Sequence, residues 1–155
     1  MSKLITIFRS PFKMKMYFFK QLPSLFFWGV RVEKIDKNRA EISIKYGWRT
    51  QNPFRSIYFS ALAGTAELST GLLALLAIEK ANVSMLVVGM QARFMKKAKG
   101  KIVFICEQGE QIFSAVKKAI DSGEGQEVLV ISKGYNEHGE IVAEFDILWS
   151  FKRRS

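Results

Sequence analysis

An α+β fold, with a mostly antiparallel sheet curled about one long central helix, is what this 155-residue sequence predicts. Three observations carry the prediction. The run FSALAGTAELSTGLLALLAI, from Phe59 to Ile78, is apolar on nearly every side, and a helix apolar all round is a buried one. Stretches before and after it alternate apolar and polar residues with the period of two that marks strands. No repeat, low-complexity segment or linker interrupts the chain, so one domain over 1–155 is expected. A helix without a polar face needs a sheet wrapped around it.

The elements follow in order. Residues 1–26 read as a helical extension, with a helix over 11–22 (PFKMKMYFFKQL) that has Pro11 in its first turn and Phe12, Met16, Phe19 and Leu22 on one face. Such a face more often packs across the domain or lines the lip of a pocket; the lysines also allow an amphipathic helix that brings residues 1–27 to a membrane surface. A hairpin comes next. Trp28 to Ile35 alternates, Asp36-Lys37-Asn38 turns, and Ala40, Ile42, Ile44 and Tyr46 mark one face of the second strand. A loop over 47–57, containing Asn52-Pro53, leads into the long helix, expected from about Phe59 to about Lys80. Asn82 closes it, and Val83 to Phe94 alternates as a long strand. Lys96 to Lys101 form a basic turn, Ile102 to Cys106 a strand, and residues 110–121 (EQIFSAVKKAID) a second helix with Ile112, Phe113, Val116 and Ile120 on its apolar side. Val128 to Lys133 and Ile141 to Phe151 make two further strands, joined through Asn136-Glu137-His138-Gly139.

Composition narrows the chemistry. An apolar fraction of 48% with 13 Phe argues for a packed core. Cys106 is the single cysteine and His138 the single histidine. Disulfide frameworks, zinc sites, Cys–His dyads and Ser–His–Asp triads within one chain are thereby set aside, and no metal is expected. Chemistry must run on carboxylates, hydroxyls, amides and backbone groups. A net charge of +10 favours anionic partners. Its lysines follow no recognised nucleic-acid motif, so no specific nucleic-acid partner is expected. Basic residues break up the aromatic stretch from Phe8 to Phe27, which speaks against a secretory signal. The Phe59–Ile78 run reaches membrane-spanning length. It also holds Glu67, two Gly and four Ser/Thr, and strands follow it, so it reads as the core helix of a cytoplasmic protein.

Glu67 is the only charged side chain between Phe59 and Ile78. A carboxylate is almost never buried alone, since desolvating it costs several kcal/mol or makes it take up a proton. Around it, Ala63, Gly64, Thr70 and Gly71 stand one turn away and Ser60 two turns back, leaving a weakly polar groove wide enough for a ligand or another chain. Two readings follow: a reactive site, or a structural contact to a neighbouring strand or subunit.

This order of elements, together with the segment from Asn52 to Gly71, resembles the hotdog-fold acyl-CoA thioesterase superfamily, in a poorly characterised branch known as a domain of unknown function. Members similar to phenylacetyl-CoA thioesterase carry an Asn, a Gly, an apolar residue, then His-Gly-Gly, and later an Asp or Glu on the central helix. Here Asn52 matches the Asn, Ile57 the apolar position, Glu67 the helix carboxylate and Gly71 the small residue after it. Arg55 stands at the Gly, Tyr58 at the His, and Phe59-Ser60 at Gly-Gly. The resemblance covers roughly residues 27–151.

It implies a hotdog fold and a homodimer or dimer of dimers, with Glu67 facing the Asn52–Ser60 loop of the partner chain. It makes Glu67 the general base or nucleophile, and gives the polarising of the thioester carbonyl to backbone N–H groups near Tyr58, Phe59 and Ser60. Asn52 either positions the water or carbonyl or is a turn residue before Pro53; Tyr58 either donates a hydrogen bond or plugs the pocket. Arg93, Lys96, Lys97, Lys99 and Lys101 are expected to meet the phosphates of coenzyme A, which belongs to the substrate, so no separate cofactor is expected. The departures at Tyr58 and Phe59 support an alternative, a non-catalytic hotdog protein that binds acyl-CoA or a fatty acid.

Overall fold

The computed structural model describes residues 2–155, so of the expected 1–26 extension Met1 lies outside the described residues. The extension is three short helices, α1 (Lys3–Arg9), α2 (Pro11–Gln21) and α3 (Pro23–Trp28). Ser2 and Ser10 cap the first two, their hydroxyls accepting from the amides of Ile5 and Lys13. Pro11 and Pro23 open the second and third, where a missing N–H costs nothing and the residue before is pushed out of helix. Gly29, at φ 71°, ends α3. Trp28 is therefore helical, and the first strand, β1 (Arg31–Ile35), starts three residues later than alternation alone suggests. Of the roles open to the apolar face of α2, packing across the domain is not the one it takes: the face points outward, and Phe12 and Met16 line a cleft. Phe12, Met16 and Phe19 are exposed while Met14 and Phe18 are buried, because α2 carries large apolar groups on both sides and α1 and α3 cover only one.

The remaining elements are β2 (Ala40–Lys45), α4 (Phe59–Ile78), β3 (Val83–Phe94), β4 (Lys101–Cys106), α5 (Gly109–Ser122), β5 (Gln126–Tyr135) and β6 (Ile141–Arg153). The six strands form one antiparallel sheet in the order β1-β2-β4-β5-β6-β3. β3 is thus an edge strand, paired to β6 alone, with one register shift between Val87 and Gly89. α4 runs along the inner face of this sheet. Leu72, Leu73 and Ala74 are fully buried in the same core as Ile42, Ile44, Phe104, Phe145 and Ile147. The helix has the length and composition of a membrane span but is mostly buried among strands.

α5 covers the far end. Its buried side is Ile112, Ala115, Val116 and Ala119, and Ile120, expected inward, lies at the exposed rim beside Ala119. Gly109 opens α5 because a Cβ there would stand 1.9 Å from the Lys37 carbonyl oxygen in the β1–β2 turn. At the other end of α4, Glu79 accepts from the Leu4 amide at 2.8 Å and ties α1 to the domain.

Candidate functional site

The first half of α4 has one open stripe. Ser60, Ala63, Gly64 and Glu67 are partly accessible, while Ala61, Leu62, Thr65, Ala66 and Leu68 are buried. Spacings of three and four put the open positions in a single line. α3 lies across part of it: a Cβ on Gly64 would be 3.1 Å from the Trp28 ring and 3.6 Å from Leu25. The groove expected around Glu67 is therefore narrower than its small residues suggest. Gly71 leaves room for the carboxylate itself, with Glu67 Oε1 3.0 Å from the position a Gly71 Cβ would take and the Trp149 ring 3.5 Å from it. The carboxylate thus leans toward the later turn, away from the start of the helix.

The polar groups beside Glu67 are differently placed. Thr70 Oγ1 donates to the Glu67 carbonyl at 2.8 Å and accepts from Trp149 Nε1 at 2.9 Å. Ser69 Oγ meets Ser132 Oγ of β5 at 2.7 Å. The Glu67 carboxylate has no hydrogen-bond or ion-pair partner among the described residues, and burial alone lifts its pKa from 4.5 to about 7. Tyr17 of α2 is the titratable group that senses its charge: burial first, and the Glu67 carboxylate second, push the Tyr17 phenol above its ordinary value. Nothing in the sequence points to Tyr17. It lies fifty residues from Glu67 with no shared periodicity, and only the docking of α2 brings the two together.

The loop before α4 is self-contained. Asn52 Oδ1 accepts from the amides of Phe54 at 2.9 Å and Ser56 at 3.1 Å, and Nδ2 donates to Ser56 Oγ at 3.0 Å. Every polar atom of Asn52 shapes its own turn. Arg55, at the position of the family glycine, adopts φ 60°, the only positive φ outside glycine among the described residues. The backbone keeps the glycine conformation at a cost of about 1 kcal/mol. Tyr58 caps α4 with its amide given to the Thr50 carbonyl at 2.8 Å, so of the three expected oxyanion donors only Phe59 and Ser60 remain open. The Tyr58 and Phe59 rings meet at 5.0 Å, both exposed, and neither fills space within the chain.

The basic turn adjoins this loop, since the Ile57 amide donates to the Ala98 carbonyl at 2.9 Å. Its charges are unequal. Arg93 pairs with Glu144 at 2.6 Å and Asp146 at 3.1 Å, Lys96 with Glu140 at 2.6 Å, and Lys101 with Glu33 at 2.8 Å. Lys97 and Lys99 are exposed and make no ion pair among the described residues. No group of three or more His, Cys, Asp or Glu able to hold a metal occurs among the described residues.

Solved structures share the whole architecture. A Pseudomonas aeruginosa protein, PA5026, described as a probable thioesterase, is 24% identical over 94% of this chain and 97% of its own, with a TM-score of 0.80. A protein of unknown function from Chlorobaculum tepidum is 14% identical over 94% and 98%, TM-score 0.77. Thioesterase HI1161 from Haemophilus influenzae is 10% identical over 93% and 91%, TM-score 0.67. At these identities the likeness establishes the fold, which is the hotdog fold expected from the sequence. No curated protein sequence matches. The sequence does match the family described as Domain of unknown function (DUF4442) over residues 13–151, and the chain belongs to that family.

Proposed function

We propose that the protein is an acyl-CoA thioesterase in which Glu67 is the reacting carboxylate. The observation that carries this reading is Glu67 itself, unpartnered on the core helix, open to one stripe of the surface and holding its proton up to about pH 7. A base with that pKa is matched to neutral conditions. Hotdog relatives described as thioesterases lend support.

In the proposed reaction Glu67 takes a proton from water as the hydroxyl oxygen adds to the thioester carbonyl carbon. The Phe59 and Ser60 amides, at the positive end of α4, hold the oxyanion. The carbon–sulfur bond then breaks, the thiolate of coenzyme A recovers the proton from Glu67, and the acid leaves. Seven residues of helix separate Ser60 from Glu67, about 10 Å along the axis, and the carboxylate leans the other way. One carbonyl must lie about 3 Å from both groups, so the amides have to come from a second copy. The unpaired edge of β3, with Leu86, Val88 and Met90 exposed and no lysine or proline in the strand, suits pairing to that copy. Lys97 and Lys99 remain for the phosphates.

A second reading, a non-catalytic binder of acyl-CoA or fatty acid, draws on the Tyr58 amide, whose bond to Thr50 removes one oxyanion donor. Free-thiol release from a panel of acyl-CoAs separates the two. Turnover that rises toward pH 7 and falls by about 10²- to 10⁴-fold in Glu67→Gln is the expected result. Absence of turnover on every chain length, with acyl-CoA still raising the melting temperature, would establish the binder instead.

A further inference from the structure

We propose that α1–α3 and the adjoining loop at Trp48 form a docking surface for an anionic lipid bilayer. Charge is the first ground. Residues 2–32 contain Lys3, Arg9, Lys13, Lys15, Lys20 and Arg31 and no acidic side chain, the first carboxylate being Glu33. Arg9 is held by the Ile35 carbonyl, but all four lysines are exposed and none makes an ion pair among the described residues. Glu79 reaches the start of α1 through the Leu4 amide, but the lysines of α2 have no carboxylate partner among the described residues, and that cationic face complements anionic headgroups.

The second ground is what stands between the lysines. Phe12 is 75% exposed and Phe19 59%, on the same outer face of α2 as Met16; Phe27 of α3 and Trp48, 78% exposed, add two further open rings. Two ring pairs form within this surface. Phe19 meets Phe26 at 5.3 Å and Phe27 meets Trp48 at 6.3 Å, with Lys15 over Phe26 at 5.9 Å and Arg49 over Phe27 at 6.0 Å. Water gains nothing from such a display. An interfacial helix of mixed lysine and aromatic character sinks its rings to the headgroup boundary and leaves its cations among the phosphates.

The third ground is that the display is fixed. Met14 and Phe18 on the other side of α2 are buried, and Phe8 of α1 packs edge-on against Tyr17 at 5.9 Å, so the platform is anchored to the domain. A cleft of about 530 Å³ opens between α1 and α2, with Ile7, Phe12, Met16 and Tyr17 as its apolar walls and Lys3, Lys13 and Lys20 at its rim. Its size suits the end of one acyl chain beneath an anionic headgroup. The inference is independent of the chemistry at Glu67.

Flotation of the full chain with phosphatidylcholine vesicles, with and without phosphatidylglycerol, tests it. Binding is expected to the anionic vesicles alone, with a blue shift in tryptophan emission that Trp48→Phe removes. Lys13→Glu/Lys20→Glu and Phe12→Ser/Phe19→Ser should each reduce the bound fraction by at least about tenfold, with circular dichroism unchanged since all four side chains are exposed. Wild-type protein that stays soluble with both vesicles would overturn the proposal. So would binding indifferent to both double variants, or a Phe12→Ser/Phe19→Ser variant that changes only the oligomeric state on gel filtration, which would give the face to a second copy.

Discussion

Two sides of α4 treat their polar groups in opposite ways. Ser69 and Thr70 face strands and are each bonded twice, to a helix carbonyl and across to Ser132 or Trp149. Glu67, on the side turned toward α2 and α3, has a charge and no partner among the described residues. A hydroxyl is easily buried because it can return its proton to its own helix. A carboxylate has only acceptors to offer and finds no donor here, so its charged form is disfavoured. The contrast shows that α4 is not short of bonding devices; at one position none is provided.

The largest test of that contrast is stability against pH. The pKa of Glu67 in the folded chain stands above its ordinary 4.5, at about 7. The stability this group contributes is therefore fully present below pH 4.5 and lost as pH rises through 7, in total on the order of 3 kcal/mol. Glu67→Gln removes the loss, so urea melts of variant and wild type should diverge in the variant's favour from pH 5 to pH 8. Parallel curves would mean the carboxylate is solvated.

On the opposite face, Thr70→Val leaves the Trp149 indole without its acceptor and should cost about 2 kcal/mol, read as a lower urea midpoint. Ser132→Ala should cost about 1 kcal/mol, since Ser69 keeps its bond to the Ala66 carbonyl. Adding Ser69→Ala should then cost less than the sum of the single changes, because the two share one bond. Smallest in stability is Gly71→Ala. The better helix propensity of alanine and the displaced carboxylate should cancel to within about 1 kcal/mol. Its signature is instead a shift in the pH midpoint of any Glu67-dependent hydrolysis.

Periodic elements were legible and aperiodic ones were not. β3 matches its alternating run at both ends because it keeps one period for twelve residues, and α4 ends within two residues of its expected close because its apolar run is unbroken by more than one charge. Trp28 misleads because the β1 alternation runs back through it, although Gly29 supplies a cap signal. The outer face of α2 was unreadable, since apolar residues on two sides do not say which one a neighbour will cover. At the site, Glu67 stands out in the sequence as a charge where none belongs, and Asn52 as a turn residue beside Pro53. Arg55 in a glycine's conformation, the Tyr58 amide given to Thr50, and Tyr17 beside Glu67 are tertiary facts with no local signature.

The strand order has a consequence for synthesis. β3 is made directly after α4, yet its one partner in the sheet is β6, which emerges only after β4, α5 and β5. Until then a nascent chain carries a helix with a single charge in twenty residues and a long strand open along both edges. Such intermediates are slow to mature and prone to associate. Demand for a chaperone should therefore peak between translation of β3 and of β6, and ribosome-bound chains stalled in that interval should bind one more strongly than chains stalled before α4.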